Sequence, residues 1–301
     1  MRSFSPDVAD PQPTDLEVRI VYLLGTGHCG STLLDLLLNA HPRVLGLSEI
    51  EGIGQLLRAR DPAPGPLSSP LWRAVRARYE TRTDARFDDV DLALPRRHRA
   101  GASHRDDLRR WGETNRCLFE CLALESRRPV LVDASKSAIR LAALVRWGGL
   151  DLRVLHVVRD GRAVLNAYRR KYGSFSRAFR SWSIPTLRAM RARRLVAPER
   201  WLRFHYEDLA SDPAGALRGI CRFVGIEYEP RMLDFRAVEN LGIGGNRMQQ
   251  DAGSEIVLDD AWRQELPFAH TLLFELLGGA LNRAQGYPRP ALLDTVPAAG
   301  E

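Results

Sequence analysis

Lysine is almost absent from this chain, although the chain is basic. Of its 44 lysine and arginine residues only Lys136 and Lys171 are lysine, and the formal net charge is +7. Such a preference for arginine is typical of a GC-rich bacterial genome, so the basic balance gives little support to nucleic-acid binding. A positive field favours anionic ligands in general without specifying one. We therefore expect anionic small molecules as ligands and no nucleic-acid partner.

Cysteine is also scarce, and long apolar runs are absent. The four cysteines, Cys29, Cys117, Cys121 and Cys221, show no paired C-x-x-C spacing, which supports neither a zinc site nor a disulfide framework. No apolar run approaches the roughly 20 residues that span a bilayer. The N-terminus lacks the basic-then-apolar pattern of a signal peptide. We therefore expect a cytoplasmic protein without a membrane span.

The composition and the sequence patterns of the chain fit one α/β domain. Its 301 residues are 45% apolar and 27% charged, as in ordinary globular proteins. Apolar runs alternate with helical patterns, which predicts a P-loop-like, mainly parallel sheet flanked by helices on both faces. We expect this domain to span residues 17–286, with a helical insertion at about 51–127 that forms a cap. Residues 1–16 are expected to be a disordered lead-in and residues 287–301 a tail.

Five short apolar runs are predicted to be the strands of this sheet. In chain order they are residues 18–24, 43–48, 129–132, 152–158 and 200–205. Helical patterns connect them. The sequence also predicts a helix from about residue 50 to 60 and, after the last strand, one continuous helix from 259 to 283.

The most informative stretch is the first strand with the loop that follows it. Residues 18–24 are apolar, residues 25–32 read GTGHCGST, and a leucine-rich helical pattern follows. A strand, a glycine-rich turn and a helix together aim backbone N–H groups and the positive helix end at a phosphate. The spacing is nearly G-x-x-x-x-G-K-[ST], but Ser31 replaces the lysine that reaches the β and γ phosphates. An ordinary glycine-rich turn is the alternative interpretation.

Three stretches of the chain resemble the sulfotransferases that use 3′-phosphoadenylyl sulfate (PAPS). GHCGSTLLDLLLNAHP is similar to the family's 5′-phosphosulfate loop, VLHVVRDGRAV to its 3′-phosphate site, and HYEDLASDP with a later FVGI to a third recurrent block. The blocks keep the family's order, and the likeness is closest to the bacterial, carbohydrate and tyrosylprotein branch. The resemblance implies an enzyme that moves a sulfuryl group from PAPS, its cosubstrate, to an acceptor hydroxyl of a sugar, natural product or peptide.

The resemblance also implies which residues hold the nucleotide. In the loop they are Gly27, His28, Cys29, Gly30, Ser31 and Thr32. Arg159 follows a strand and precedes Asp-Gly at a helix start, where it would bind the 3′-phosphate together with helix N–H groups. The alternative is that Arg159 pairs with Asp160 or with another carboxylate.

Further positions are implied around the nucleotide, and one departs from the family. The serine that the family has eight residues after the arginine is Ala167 here, and Asn166 or Arg170 are the candidates to replace its contact. Tyr206 would lie near the adenine, or be a buried structural residue. The glycine-rich stretch with Asn246 and Arg247 would close over the nucleotide. The list of nucleotide contacts is therefore Arg159, Tyr206, Asn246 and Arg247 besides the loop.

Sulfuryl transfer needs a base that accepts the proton of the acceptor hydroxyl, and Glu49 is the first candidate. It stands nineteen residues after Gly30, the spacing of a glutamate in the tyrosylprotein-like branch. The alternative is a carboxylate that caps the helix starting at Ile50. His28 occupies a position that is commonly lysine or arginine in the family, where an imidazole could donate a hydrogen bond beside the sulfate. His28 and Asp133 are also rival bases.

Lys136 is the third catalytic candidate, because lysine is so rare in this chain. A compact ammonium could stabilise charge on the leaving phosphate oxygen; a solvated surface lysine is the alternative. This chemistry needs no metal, and none is expected. Two other functions fit the same loop: a divergent P-loop kinase, against which the missing loop lysine counts, and a non-catalytic nucleotide-binding module, which the departures at His28 and Ala167 leave open.

Overall fold

In the computed structural model, which describes residues 17–59, 65–95, 102–244 and 256–289, five parallel strands form one sheet. Their order across the sheet is β2-β3-β1-β4-β5. The strands are β1 (Arg19–Gly25), β2 (Val44–Gly46), β3 (Val130–Lys136), β4 (Asp151–Val158) and β5 (Trp201–His205). The predicted α/β class with a mainly parallel sheet is therefore confirmed.

Helices connect these strands and follow the last of them. In chain order they are α1 (Ser31–Asn39), α2 (Ile53–Leu57), α3 (Pro70–Thr83), α4 (Ala102–Ser126), α5 (Ala138–Trp147), α6 (Gly161–Tyr172), α7 (Phe175–Ala192), α8 (Tyr206–Ser211), α9 (Pro213–Val224), α10 (Trp262–Glu265) and α11 (Phe268–Ala284). Helix α9 shows how the sequence sets a boundary. Pro213 takes the first helical position, and the Asp212 side chain caps the helix by accepting the Gly215 N–H at 2.9 Å.

The central strand β1 shows why both faces of the sheet are covered. Ile20, Tyr22 and Leu24 face one side and Val21 and Leu23 the other, all at 1% exposure or less, as the alternation of strand side chains requires. The first side packs with α3, α4, α5 and α7, so the predicted insertion covers this face. The second side packs with α1, α8 and α9. A strand buried on both faces must be a continuous apolar run, which is how its sequence reads.

Strand β3 is longer than predicted because its polar end is paired internally. The apolar run predicts a strand that ends at residue 132, yet pairing with β1 continues to Lys136, opposite Leu24. Asp133 is fully buried there, and its carboxylate accepts hydrogen bonds from Arg140 Nη2 at 3.0 Å and from the Ser135 N–H at 2.9 Å. Buried charges persist where they are paired in this way. An acceptor hydroxyl cannot reach such a carboxylate, so the suggestion of Asp133 as the base is wrong.

The region after β5 also differs from the predicted pattern. The expected continuous helix 259–283 is two helices, because Pro267 lacks an N–H donor and therefore stands at the start of α11. The predicted helix 50–60 is a 3₁₀ turn, Ile50–Gly52, followed by the short α2. Tyr287, placed in the tail by the sequence analysis, is buried and donates its hydroxyl to Glu207 Oε2 at 2.6 Å. Packed structure thus continues past residue 286.

Candidate active site

The candidate site lies at the carboxyl edge of the sheet, around the loop that joins β1 to α1. The strand register places Leu24 beside Lys136 of β3 and Gly25 beside Val157 of β4. Arg159 follows β4 directly at the same edge. Because ligands of open α/β sheets bind outside the carboxyl ends of the strands, the register alone brings the loop, Lys136 and Arg159 to one place.

Helix α1 begins without a capping side chain. Helices α3, α5, α6, α7 and α9 each start with a serine or aspartate side chain that accepts a backbone N–H. Helix α1 starts instead at Gly30, in the left-handed region with a φ of 90°. A Cβ at this position would overlap the Tyr206 ring, so the turn requires glycine. The N–H groups of Ser31 and Thr32 at the helix start are thereby left for an external acceptor such as a phosphate.

Arg159 is in direct contact with this loop. Its Nη1 donates to the His28 carbonyl at 3.0 Å, and its guanidinium carbon lies 4.6 Å from the centroid of the Tyr206 ring. The side chain is 8% exposed, and its Nη2 lies 2.9 Å from Asp259 Oδ2 and donates to the Asp259 carbonyl at 2.6 Å. A buried cation requires such a partner. The Arg159 guanidinium is therefore already paired with a carboxylate, which belongs to Asp259 and not to the neighbouring Asp160.

Asp259 also lies close to a second arginine, Arg170. Arg170 Nη2 lies 3.8 Å from Asp259 Oδ2. Burial alone would raise the pKa of Asp259, but the hydrogen bond and charge of Arg159, with the charge of Arg170, lower it overall. Of the two candidates to replace the missing family serine at Ala167, Arg170 thus reaches the same carboxylate as Arg159. Both candidates also bind Glu265 on α10: the Asn166 amide donates to its Oε2 at 2.8 Å, and Arg170 Nη1 donates to the same oxygen at 3.0 Å.

His28 lies at the tip of the loop, exposed and with a φ of 61°. Its ring stands edge-on to Tyr168, with the centroids 4.6 Å apart. Partial loss of hydration, followed by the positive charges of Lys171, Arg159 and Arg170, lowers the pKa of His28. This shift favours the neutral imidazole, which offers one donor and one acceptor rather than a cation.

Tyr168 is a site residue that the sequence analysis missed. Its hydroxyl contacts Gly27 so closely that a Cβ there would overlap it, and burial raises its pKa to about 12. The contacts of Tyr168 with Gly27 and His28 hold the loop against α6. In the sequence, Tyr168 is marked only by its place directly after Ala167, where the resembling family has a serine that contacts the phosphate.

Glu49 and Lys136 form an ion pair beside the loop. Lys136 Nζ donates to Glu49 Oε1 at 2.6 Å and to the Ala134 carbonyl at 2.9 Å. The Lys136 side chain is only 17% exposed, whereas that of Glu49 is 46% exposed. Lys136 is therefore not a solvated surface lysine, and the Glu49 side chain makes no capping hydrogen bond to the turn that follows. The result is a carboxylate open to solvent with an ammonium held against it.

The backbone around the site is strained at three non-glycine residues. Among the described residues, five non-glycine positions have a positive φ, and His28, Ser48 and Lys136 are three of them. Such conformations persist where the surrounding structure imposes them, and they concentrate at functional sites. Each of the three adjoins the loop or the ion pair, so the strain marks the same edge as the side-chain contacts.

Asp35 on α1 lies behind this edge. It is 1% exposed and accepts the Ser48 hydroxyl hydrogen bond at 2.7 Å. Burial raises the pKa of Asp35 to about 7. Its other oxygen, Oδ1, meets no hydrogen-bond donor in the part of the chain described here. The Asp35–Ser48 hydrogen bond ties α1 to the segment that carries Glu49.

The other predicted site residues lie in or beside the loop or outside the described residues. Cys29 and Ser31 are buried in the loop and at the start of α1, and Thr32 is half-buried beside them. Tyr206 is 6% exposed and donates its hydroxyl to the Val257 carbonyl at 3.1 Å, which supports its structural interpretation. Two predicted nucleotide contacts, Asn246 and Arg247, lie outside the described residues.

Within the described residues, no cluster of three or more histidine, cysteine, aspartate or glutamate side chains is suited to hold a metal ion. None of the helices described is both long enough and apolar enough to cross a bilayer. The cytoplasmic location stays a prediction.

A parallel sheet with a glycine loop after its central strand, and an arginine in contact with that loop, defines a P-loop-like α/β protein, whose free helix start suits a phosphate. A family model described as the sulfotransferase family matches residues 21–230. The chain therefore belongs to the sulfotransferase family, as the resemblance in its sequence implied.

Known relatives agree with this assignment. Carbohydrate sulfotransferase 5 of Mus musculus and carbohydrate sulfotransferase 6 of Homo sapiens are each 30% identical over 162 residues, which cover 44% of this chain and 41% of the relative. The matched region is thus about two fifths of the length of these curated relatives.

The sulfotransferase domain from the Synechococcus PCC 7002 olefin synthase has a TM-score of 0.61 at 20% identity, covering 93% of this chain and 99% of that one. The sulfotransferase domain from the curacin biosynthetic pathway has a TM-score of 0.58 at 16% identity, with 91% and 99% covered. These two structures share the fold.

Proposed function

We propose that this protein transfers a sulfuryl group from PAPS to a hydroxyl of a small-molecule or carbohydrate acceptor. One observation carries the proposal: the buried Arg159 guanidinium donates to the His28 carbonyl at 3.0 Å. A cation suited to a 3′-phosphate is thereby joined to the loop whose free helix start suits a 5′-phosphosulfate. The names of the carbohydrate sulfotransferases that match part of the chain make a sugar hydroxyl the first acceptor to test.

The donors at this edge fit PAPS better than a nucleoside triphosphate. The first-turn N–H groups and the hydroxyls of Ser31 and Thr32 can bind the 5′ end, and Arg159 with Arg170 can bind the 3′-phosphate. Ser31 stands where a triphosphate site would need lysine. When bound, PAPS supplies an activated sulfuryl group, whose bond to phosphate breaks as the bond to the acceptor oxygen forms, leaving adenosine 3′,5′-bisphosphate.

We assign the general base to Glu49. In this assignment Glu49 takes the proton from the acceptor hydroxyl, and Lys136 with the loop N–H groups stabilises negative charge on the leaving phosphate oxygen. The assignment is supported by the exposed Glu49 carboxylate, by its 2.6 Å contact with Lys136 and by the position of Lys136 beside Leu24 at the start of the loop. The neutral His28 is the rival base and can otherwise donate one hydrogen bond.

Calorimetry and a turnover assay test the proposal together. Adenosine 3′,5′-bisphosphate is expected to bind, and ATP with Mg²⁺ to bind much more weakly. Labelled PAPS is expected to transfer its label to at least one member of a panel of sugar, natural-product and peptide hydroxyls. Equal binding of ATP would favour the kinase. Tight binding of the bisphosphate without turnover on any acceptor would favour the non-catalytic module.

A further inference from the structure

Helix α11 presents an apolar face to solvent. The exposed residues along it, before the first exposed charge at Arg283, are Phe268, Ala269, Leu272, Leu273, Leu276, Leu277 and Ala280. Leu276 is 74% exposed, Leu277 60% and Phe268 53%, and the other two leucines are each 38% exposed. The solvent face of a surface helix is normally polar, so this face requires an explanation.

The opposite face of α11 is already packed in the fold. Phe274 is fully buried, with its ring centroid 4.7 Å from that of Trp182 on α7. Asn282 Oδ1 accepts the Gly161 N–H at 2.8 Å, which fixes the end of α11 to the start of α6. The helix is therefore held in place, and its outward face cannot turn into the core without breaking these contacts.

The exposed positions of α11 read the same in both directions. From Ala269 to Ala280 they are one alanine, two leucines, two leucines and one alanine, with two inward-facing residues between successive groups. Consider an antiparallel pair of α11 helices related by a two-fold axis at the middle of this stretch. Each exposed leucine or alanine of one copy then lies opposite a residue of the same type in the other copy. The pairs between one copy and the other are Leu273 with Leu276, Leu272 with Leu277, and Ala269 with Ala280. A two-fold interface requires this self-complementarity.

The size and charge of the face also favour a second copy. At roughly 150–200 Å² for a large apolar side chain, the five large residues expose about 450 Å² together, which is within the range of about 300–600 Å² for the largest, often functional, apolar patch of a monomer. Two such faces with their alanines would bury about 1,000 Å², the lower limit for a specific interface. From Phe268 to Ala280 none of the exposed residues is charged, so no like charges meet across the axis.

We propose that the protein forms a two-fold dimer through antiparallel packing of α11 against α11 of a second copy. Leucines fill the centre of this interface, and the alanines at its ends let the helices approach closely. The dimer does not depend on the proposed function, because none of the residues assigned to nucleotide binding or chemistry lies on this face.

Sedimentation of the full chain from about 1 to 100 µM tests the dimer, since the small interface suits micromolar association. The expected mass rises with concentration from 33.8 kDa towards twice that value. Leu276→Glu places two carboxylates in the apolar centre and is expected to weaken association roughly 100-fold or more. Ile139→Glu, at a 54% exposed isoleucine on α5, is the matched control and is expected to dimerise like the wild type.

Three results would overturn the proposal. They are a wild-type chain that stays monomeric at the highest concentration, a Leu276→Glu variant that dimerises as well as the wild type, and equal loss of dimer in both glutamate variants. A monomeric wild type that sediments with phosphatidylcholine vesicles would assign the face to a lipid surface instead. Circular dichroism melting curves that agree between Leu276→Glu and the wild type show that the variant is folded. If Leu276→Glu misfolds, Leu276→Ser, a smaller polar change, is used in the same assay.

Discussion

At Arg159 the cation expected to bind a phosphate is already bound to a carboxylate. Asp259 approaches Arg159 at 2.9 Å and Arg170 at 3.8 Å, so two arginines converge on one anionic group. A phosphate oxygen makes the same kind of charge-assisted hydrogen bond to a guanidinium. Nucleotide and Asp259 are therefore expected to compete for Arg159.

The first prediction is that Asp259→Asn binds adenosine 3′,5′-bisphosphate more tightly than the wild type. The substitution keeps the size of the side chain and removes its charge, which frees Arg159 and removes repulsion of the phosphate. Because Asp259 is 43% exposed, solvent screening limits the gain to about tenfold, or about 1.4 kcal/mol. Isothermal calorimetry measures it. Asp260→Asn, at the exposed neighbour, should leave the affinity unchanged, and an unchanged affinity in Asp259→Asn would show that the carboxylate does not compete.

The second prediction tests the base. Glu49→Gln keeps the shape of the side chain and a hydrogen bond to Lys136 but cannot accept a proton at neutral pH, so turnover should fall about 10²–10⁴-fold. The affinity for the nucleotide should hardly change. Glu51→Gln, at a half-buried glutamate two residues away whose pKa burial raises, is the matched comparison and is expected to keep turnover near that of the wild type. Steady-state kinetics decides: full activity in Glu49→Gln with loss in Glu51→Gln would move the base to Glu51, and full activity in both would point to His28.

Sequence reasoning reached some residues of the site and not others. Arg159 and Glu49 follow short apolar runs that predict β4 and β2, whereas Lys136 is noticeable in the sequence only because lysine is so rare. Their partners are harder to predict, because Asp259 is one hundred residues from Arg159 along the chain and belongs to no motif. Tyr168 reaches Gly27 only through the packing of α6, which no local pattern describes.

At the scale of elements, a buried carboxyl connects α1 to the segment that carries Glu49. Asp35 of α1 accepts the Ser48 hydroxyl at 2.7 Å, directly before Glu49. Its pKa of about 7 in the folded state lies above the ordinary value of 3.8. The folded chain therefore holds this proton more tightly than the unfolded chain, and its contribution to stability is lost as pH rises from about 4 to 7.

The third prediction is that Asp35→Asn gains stability over the wild type as pH rises through this window. Asparagine keeps an acceptor for Ser48 and cannot ionise, so the difference in unfolding free energy should grow to at most about 4 kcal/mol at pH 7.5. His156, whose pKa burial lowers to about 4, acts in the opposite direction, and it does so equally in both proteins. Urea unfolding at several pH values measures the difference. A difference that is constant from pH 4.5 to 7.5 would contradict the pH effect.

Element types could be predicted better than element ends. The alternation of strands and helices is visible in the sequence because apolar runs and helical periodicity are local properties. The end of β3 could not be predicted, since Asp133 is compatible with a strand only through its pairing with Arg140. The apolar outward face of α11 was equally hidden, because helical periodicity shows that leucines cluster but not which of them the fold buries.

At the scale of the whole molecule, the candidate site joins parts of the chain that are far apart in sequence. The loop after β1, the turn after β4 and residue 259 meet at Arg159, while Tyr206 at the start of α8 lies against both the loop and the guanidinium. A ligand that bridges the loop and Arg159 therefore binds only when these segments are assembled. Binding to the folded state alone raises its stability.

The fourth prediction is that adenosine 3′,5′-bisphosphate raises the melting temperature of the whole domain in one cooperative transition. At about 100 times its dissociation constant it should add about 2.7 kcal/mol, or roughly 4–5 °C for a chain of this size. ATP with Mg²⁺ should shift the melting temperature much less, because Ser31 replaces the loop lysine. Arg159→Ala should lose most of the shift at the same ligand concentration, whereas Arg222→Ala, at an exposed arginine on α9, should keep it. Differential scanning calorimetry separates the outcomes: a full shift in Arg159→Ala would mean that the 3′-phosphate binds elsewhere, and two separate transitions would mean that the site does not join these segments into one cooperative unit.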